Sequence, residues 1–166
     1  MYIPFHSLPS TGKVWLYTAD RYFTEADRAT IDQLLVPFLD QWMAHGTALE
    51  ASYTLVENRV LVIAVNEEAH APTGCSIDAQ VAIVQQLGQK LHIDFFNRLS
   101  LLIEDPNGEL VERSLGAIKK ELRAGALDPD YTRLLDNSIT SLQEFKESWK
   151  KPLRHSWLGA FAPAQA

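Results

Sequence analysis

Apolar residues recur along the chain in two patterns: short blocks that suit a pleated strand, and longer stretches repeating every three to four residues that suit a helix. Val14 to Thr18 (Val-Trp-Leu-Tyr-Thr) predicts the first strand. After Thr24, apolar residues fall at Ile31, Leu34, Leu35, Phe38, Leu39 and Trp42, one helical stripe. Thr24 and Asp27 mark its start as a weaker relative of the capping box, Pro37 predicts a kink, and Gly46 after His45 predicts the stop. Leu49 to Val56 and Arg59 to Val65 read as two strands joined through Glu57-Asn58, a turn that accepts Asn in a left-handed conformation. Val60 to Val65 is apolar throughout and suits a central strand. A loop holding Glu67, Glu68, His70, Pro72 and Gly74 leads to a second helix, with apolar positions at Ile77, Val81, Val84, Leu87 and Leu91. Asn97 to Glu104 is a further strand, which Pro106-Asn107-Gly108 turns into a short partner, Glu109 to Arg113.

The order strand, helix, strand, strand, helix, strand predicts an α+β protein with a ferredoxin-like βαββαβ core, an antiparallel sheet covered on one face by two helices. The hairpin over 97–113 adds an edge strand. Beyond it the pattern predicts a helix at about 115–124 ending at Gly125, an extended segment around Tyr131 to Leu135, and a last helix at about 141–150. Thr140 is the expected N-cap of that helix, with Gln143 completing a capping box; a continuous helix from Pro129 to Trp149 is the rival reading. Residues 1–166 are expected to form a single domain, with a core at 13–105 and a C-terminal helical extension at 106–166 packed on it.

Composition narrows the partners. The 166 residues are 46% hydrophobic and carry a net charge of -6, which disfavours a nucleic-acid partner. Residues 1–105 hold thirteen acidic and six basic side chains, whereas 106–166 hold eight and nine. The closing cluster Lys150, Lys151, Arg154 and His155, interleaved with Trp149 and Trp157, is therefore expected to be solvated, to pin itself to an acidic body or to meet an anion. The single cysteine, Cys75, excludes an intramolecular disulfide and a Cys-rich zinc site. No basic, apolar secretory leader opens the sequence and no run approaches the ~20 apolar residues of a membrane span, so a cytoplasmic location without a membrane partner is expected.

Candidate chemistry gathers near the second helix. Ser10-Thr11-Gly12-Lys13 mimics the end of a phosphate-binding loop, but Ser7 replaces its first Gly, Val14 replaces its Ser or Thr, and a strand follows where a helix should. Cys75, in Pro72-Thr73-Gly74-Cys75-Ser76-Ile77-Asp78, lies where free N–H groups and the helix dipole favour an anion; the plain alternative is a small buried residue beside a Thr73 or Ser76 cap. In a ferredoxin-like sheet the first helix ends where the second begins, which brings His45 toward Gly74, Cys75, Ser76 and Asp78, with Glu67 nearby. The expected role of this rim is binding a small ligand or a protein partner through Gly74, Ser76, Glu67 and Arg21, the last able to pair with an acidic rim residue. A thiol-dependent enzyme is the alternative, with Cys75 as nucleophile, His45 as base and Asp78 as its orienter. Self-association as a homodimer through the 109–113 edge is the third reading. His45, Cys75, Glu67 and His70 match no dedicated metal spacing, so neither metal nor cofactor is expected.

Trp42-Met43-Ala44-His45-Gly46, then Gly74-Cys75-Ser76-Ile77-Asp78, and the segment from Trp149 to Trp157 resemble a family of small uncharacterised bacterial proteins often automatically named ABC transporter ATPases. The resemblance runs over about residues 13 to 161. It implies that His45 and Cys75 to Asp78 are positions to test. It does not imply nucleotide binding, because the chain carries no Walker A loop, no Walker B segment in context and no ABC signature.

Overall fold

A computed structural model describes residues 1–165, with antiparallel sheets and helices in an α+β arrangement. The chain forms two compact units: Met1–Phe96 with Ser138–Lys146, and Asn97–Asn137 with the residues from Glu147 onward.

In the first unit, β1 (Lys13–Thr18) leads to α1 (Glu25–Gln41), a small hairpin of β2 (Met43–Ala44) and β3 (Thr47–Ala48), then β4 (Ala51–Val56), β5 (Val60–Val65) and α2 (Gly74–Leu91). β5 is the centre of a three-stranded sheet in the order β1-β5-β4, and all six of its residues are buried, as its unbroken apolar run requires. Glu57 and Asn58 both adopt positive φ, 52° and 54°, and the Arg59 N–H closes their turn on the Val56 carbonyl (3.1 Å), so three residues join Val56 to its partner Val60. Leu61, Ile63 and Val65 of β5 pack against Ile31, Leu35 and Leu39 of α1 and Val84 and Leu87 of α2. Each such fully buried side chain stabilises the fold by roughly 1.5–3 kcal/mol. Pro37 sits inside α1 without ending it; it is exposed, so the carbonyl it leaves unpaired faces water.

The strand expected to complete a ferredoxin-like sheet forms in the other unit. Ser100–Glu104 pairs with Leu110–Ser114 and Arg133–Leu135, not with β1. Two features account for this. After the left-handed C-cap His92, Ile93 and Phe95 turn back into the first unit's core, and the Ile93 N–H bonds the Gly88 carbonyl (2.9 Å), so this stretch is spent covering α2. The start of the free edge of β1 is taken by a returning segment: the Val14 N–H donates to the Thr140 carbonyl (3.0 Å) and Lys13 bridges Ser141.

The second unit contains β6 (Ser100–Glu104), β7 (Leu110–Ser114), α3 (Leu115–Arg123) and β8 (Arg133–Leu135). After α4 (Leu142–Ser148), β9 (Lys150–Pro152) completes an antiparallel sheet ordered β7-β6-β8-β9. The expected hairpin edge strand is present as β7, and strand β8 replaces the rival continuous helix. The cap of α4 falls one residue later than expected: Ser141 Oγ accepts from the Glu144 N–H (3.2 Å), while Glu144 Oε2 accepts from the N–H groups of Thr140 and Ser141. Ile103, Ile118, Leu122, Leu134, Leu153 and Leu158 form the unit's core. The basic closing segment meets carboxylates of its own unit: Lys150 pairs with Glu104 (2.6 Å), Lys151 with Asp136 (2.9 Å) and Arg154 with Asp130 (2.6 Å). Its aromatic end is held by cations too, with Lys119 and Arg123 of α3 over the Phe161 ring.

Candidate functional site

α1 stops at Gln41 because Trp42 turns extended and buries its ring in the core. The indole N–H donates to the Ser76 carbonyl in the first turn of α2 (2.8 Å), which ties the end of one helix to the start of the next. Between Trp42 and Leu49, whose N–H bonds the Trp42 carbonyl, the chain makes the β2–β3 hairpin. His45 and Gly46 form its tip at φ 50° and 78°, two left-handed residues as a type I′ turn demands. His45 and Gly46 therefore do not mark the stop of α1, which ends at Gln41; His45 stands exposed on a hairpin. The signal for this was the His-Gly pair, since His tolerates the left-handed region better than most residues and Gly prefers it. His70 fixes the hairpin from the loop before α2, its Nε2–H donating to the Ala44 carbonyl (3.1 Å).

The N-cap of α2 is Thr73. Its Oγ1 accepts from the Ser76 N–H (3.3 Å), and Ser76 Oγ accepts in return from the Thr73 N–H (2.7 Å), a reciprocal capping box. Ser76 is buried and its hydroxyl also donates to the Thr73 carbonyl (2.9 Å), so its polar atoms serve the cap. Among the described residues, the N–H groups of Gly74 and Cys75 ahead of it meet no acceptor, as first-turn donors do unless something supplies one. Cys75 is exposed, against the plain reading of a small buried thiol; the first turn points it away from the sheet.

These pieces enclose an open groove of about 640 Å³. Phe38 and Gln41 from the end of α1 and Trp42, Met43 and His45 from the hairpin form one side. Thr73, Gly74, Cys75, Ser76 and Ala79 form the other. Nothing would meet a side chain added at Gly74, so this wall is open. Four of the expected rim residues thus share one groove: His45, Gly74, Cys75 and Ser76.

The others lie outside its lining. Asp78 is exposed farther along α2, and Glu67 faces Lys13 at 3.9 Å. Arg21 takes a structural role apart from the groove. It grips Asp27 with two bonds (2.5 and 3.1 Å) and donates to the Leu91 carbonyl at the end of α2 (2.7 Å). The Arg21 guanidinium, with help from Thr24, holds the Asp27 carboxyl well below the usual range despite its burial. This pair was not expected from the sequence, in which Asp27 served only as a cap and Arg21 as a rim cation. Among the described residues, no group of three or more His, Cys, Asp and Glu side chains could hold a metal ion.

The groove offers an apolar wall, two open backbone donors, an imidazole and an exposed thiol. Such a surface can hold a small molecule with an apolar body and an acceptor or negative end. No helix among the described residues is long and apolar enough to cross a membrane. Comparison with protein-family models, curated proteins and solved structures gives no match.

Proposed function

We propose that the protein binds a small molecule in the groove between the His45 hairpin and the first turn of α2. The observation that carries this reading is the pairing of an apolar side, Phe38, Trp42 and Met43, with the open N–H groups of Gly74 and Cys75 across about 640 Å³. The two elements behind the family resemblance, Trp42 to Gly46 and Gly74 to Asp78, each contribute residues to this groove: Trp42, Met43 and His45 from one, Gly74, Cys75 and Ser76 from the other. The ligand class is an aromatic or aliphatic carboxylate, with the ring or chain against Trp42 and Met43 and the carboxylate at the helix start. Titration with indole-3-acetate at millimolar concentration, followed by amide NMR, is expected to shift Met43, His45, Gly74 and Cys75 together. Ala79→Leu, which fills the groove from α2, is expected to suppress those shifts. Scattered shifts, or the same response in Ala79→Leu, would reject the site.

A thiol-dependent activity is the second reading, favoured by the exposure of Cys75 and its sharing of one groove with His45. It requires the native thiol to react with iodoacetamide faster than a free cysteine at neutral pH, and His45→Ala to remove that advantage. A rate equal to that of free cysteine eliminates it.

A further inference from the structure

A separate surface of the first unit lies along β4, the outer strand of its sheet. The Ala51 N–H donates outward to the Met1 carbonyl (3.1 Å), and the Ala51 carbonyl accepts from the Ile3 N–H (3.0 Å). Backbone direction alternates along a strand, so Tyr53 and Leu55 turn their N–H and C=O groups to the same outer side. Among the described residues, none of these four groups meets a backbone partner. The strand is Ala-Ser-Tyr-Thr-Leu-Val, paired one-to-one with β5 and free of charge, proline and bulge, so it lacks the usual devices that blunt an edge.

Beside this edge runs a groove of about 530 Å³, lined by Tyr2, Tyr53 and Leu55 and by Glu25, Arg28 and Asp32 of α1. The Tyr2 and Tyr53 rings lie 6.4 Å apart, and the Tyr53 hydroxyl donates to Asp32 (2.6 Å). The one cation, Arg28, is already engaged by Asn58 and Glu25. Two carboxylates and one cation beside two aromatic rings thus leave the groove with a net negative charge, in a unit that holds twelve acidic and six basic side chains.

We propose that the β4 edge takes up an extended segment of a partner polypeptide, hydrogen-bonded to Tyr53 and Leu55 and carrying a lysine or arginine between Asp32 and Glu25. Main-chain pairing supplies attachment, and the carboxylates and rings select a cationic side chain on the α1 side. The edge itself favours no sequence; the charge beside it does.

The test uses two capped hexapeptides, Thr-Lys-Val-Lys-Val-Thr and its counterpart with Glu in place of Lys, added to the full chain. The lysine peptide is expected to slow hydrogen exchange at the Tyr53 and Leu55 amides, and the glutamate peptide is not. The double variant Glu25→Gln, Asp32→Asn keeps an acceptor for the Tyr53 hydroxyl and is expected to weaken binding by about tenfold. Leu55→Pro removes one outward donor without touching the β4–β5 ladder and is expected to abolish binding; should it fail to fold, the charge variant decides. Three outcomes overturn the proposal: no protection by the lysine peptide, equal binding of the glutamate peptide, or protection that appears without peptide as protein concentration rises. The last would assign the edge to a second copy of the chain.

Discussion

Replacing Asp27 should reveal how much of the first unit rests on one carboxylate. Its Oδ2 accepts from the Thr24 N–H (2.7 Å) and from Arg21 (2.5 Å), and its Oδ1 accepts from Arg21 again (3.1 Å). Asp27→Ala removes the capping-box bond, at about 1 kcal/mol. It also breaks the ion pair, whose arginine is 39% exposed, so that part is discounted to about 0.5–1 kcal/mol. The sum is about 2 kcal/mol, whereas Asp27→Asn, which keeps an acceptor for the cap, should cost about half as much. Hydrogen exchange at the Ile31 and Leu35 amides reads this unit alone, which matters in a chain of two units. The sign with pH follows from the depressed carboxyl. Between its folded value and the usual value near 4, the unfolded chain binds more protons, so stability rises with pH there. Asp27's contribution is full above that range and is lost as pH falls through it. Wild type should therefore lose stability below pH ~4 more steeply than Asp27→Asn. Equal acid slopes, or an Asp27→Ala variant within ~0.5 kcal/mol of wild type, would refute the reasoning.

Gly88→Ala should destabilise, although alanine is favoured over glycine inside a helix by about 1 kcal/mol. An added Cβ would lie 2.7 Å from the Ile93 carbonyl oxygen, a backbone atom held by the chain's return; thermal unfolding checks it, and a rise in Tm would contradict the packing. Trp42→Phe keeps most of the ring burial but loses the donor to the Ser76 carbonyl, a cost of about 1 kcal/mol measured by denaturant titration. The same variant should speed exchange at the first amides of α2, and unchanged exchange would show that the bond does not hold the two helix ends together.

Local signals carried much of the architecture. The apolar run Val60 to Val65, the Glu57-Asn58 turn and the Thr24 cap each depend on neighbours a few residues away, and each is where its pattern put it. That His45 and Cys75 border one groove follows from the same reasoning, because antiparallel helices over one sheet end and begin at the same side. What the sequence concealed depends on distant partners. Nothing within Asn97 to Glu104 distinguishes pairing with β1 from pairing with Arg133–Leu135, and three-residue strands such as β8 and β9 carry no period to detect. Arg21 found its carboxylate six residues on and its carbonyl seventy residues on, and only the second placed it at the end of α2. Cys75 followed its position in a helical first turn, not the average burial of its residue type.

Ser138–Lys146 belongs to the unit that begins at Met1, and residues 97–137 come between them in the chain. During synthesis, the Val14 N–H cannot meet the Thr140 carbonyl, nor the Leu142 N–H the Gly12 carbonyl, until the whole intervening stretch has been made. Closing a loop on the order of a hundred residues costs only logarithmically more entropy than closing a short one, so the delay is one of time more than of stability. The nascent first unit waits with one sheet edge incomplete. Its last native contacts form only once Ser138–Lys146 has been made.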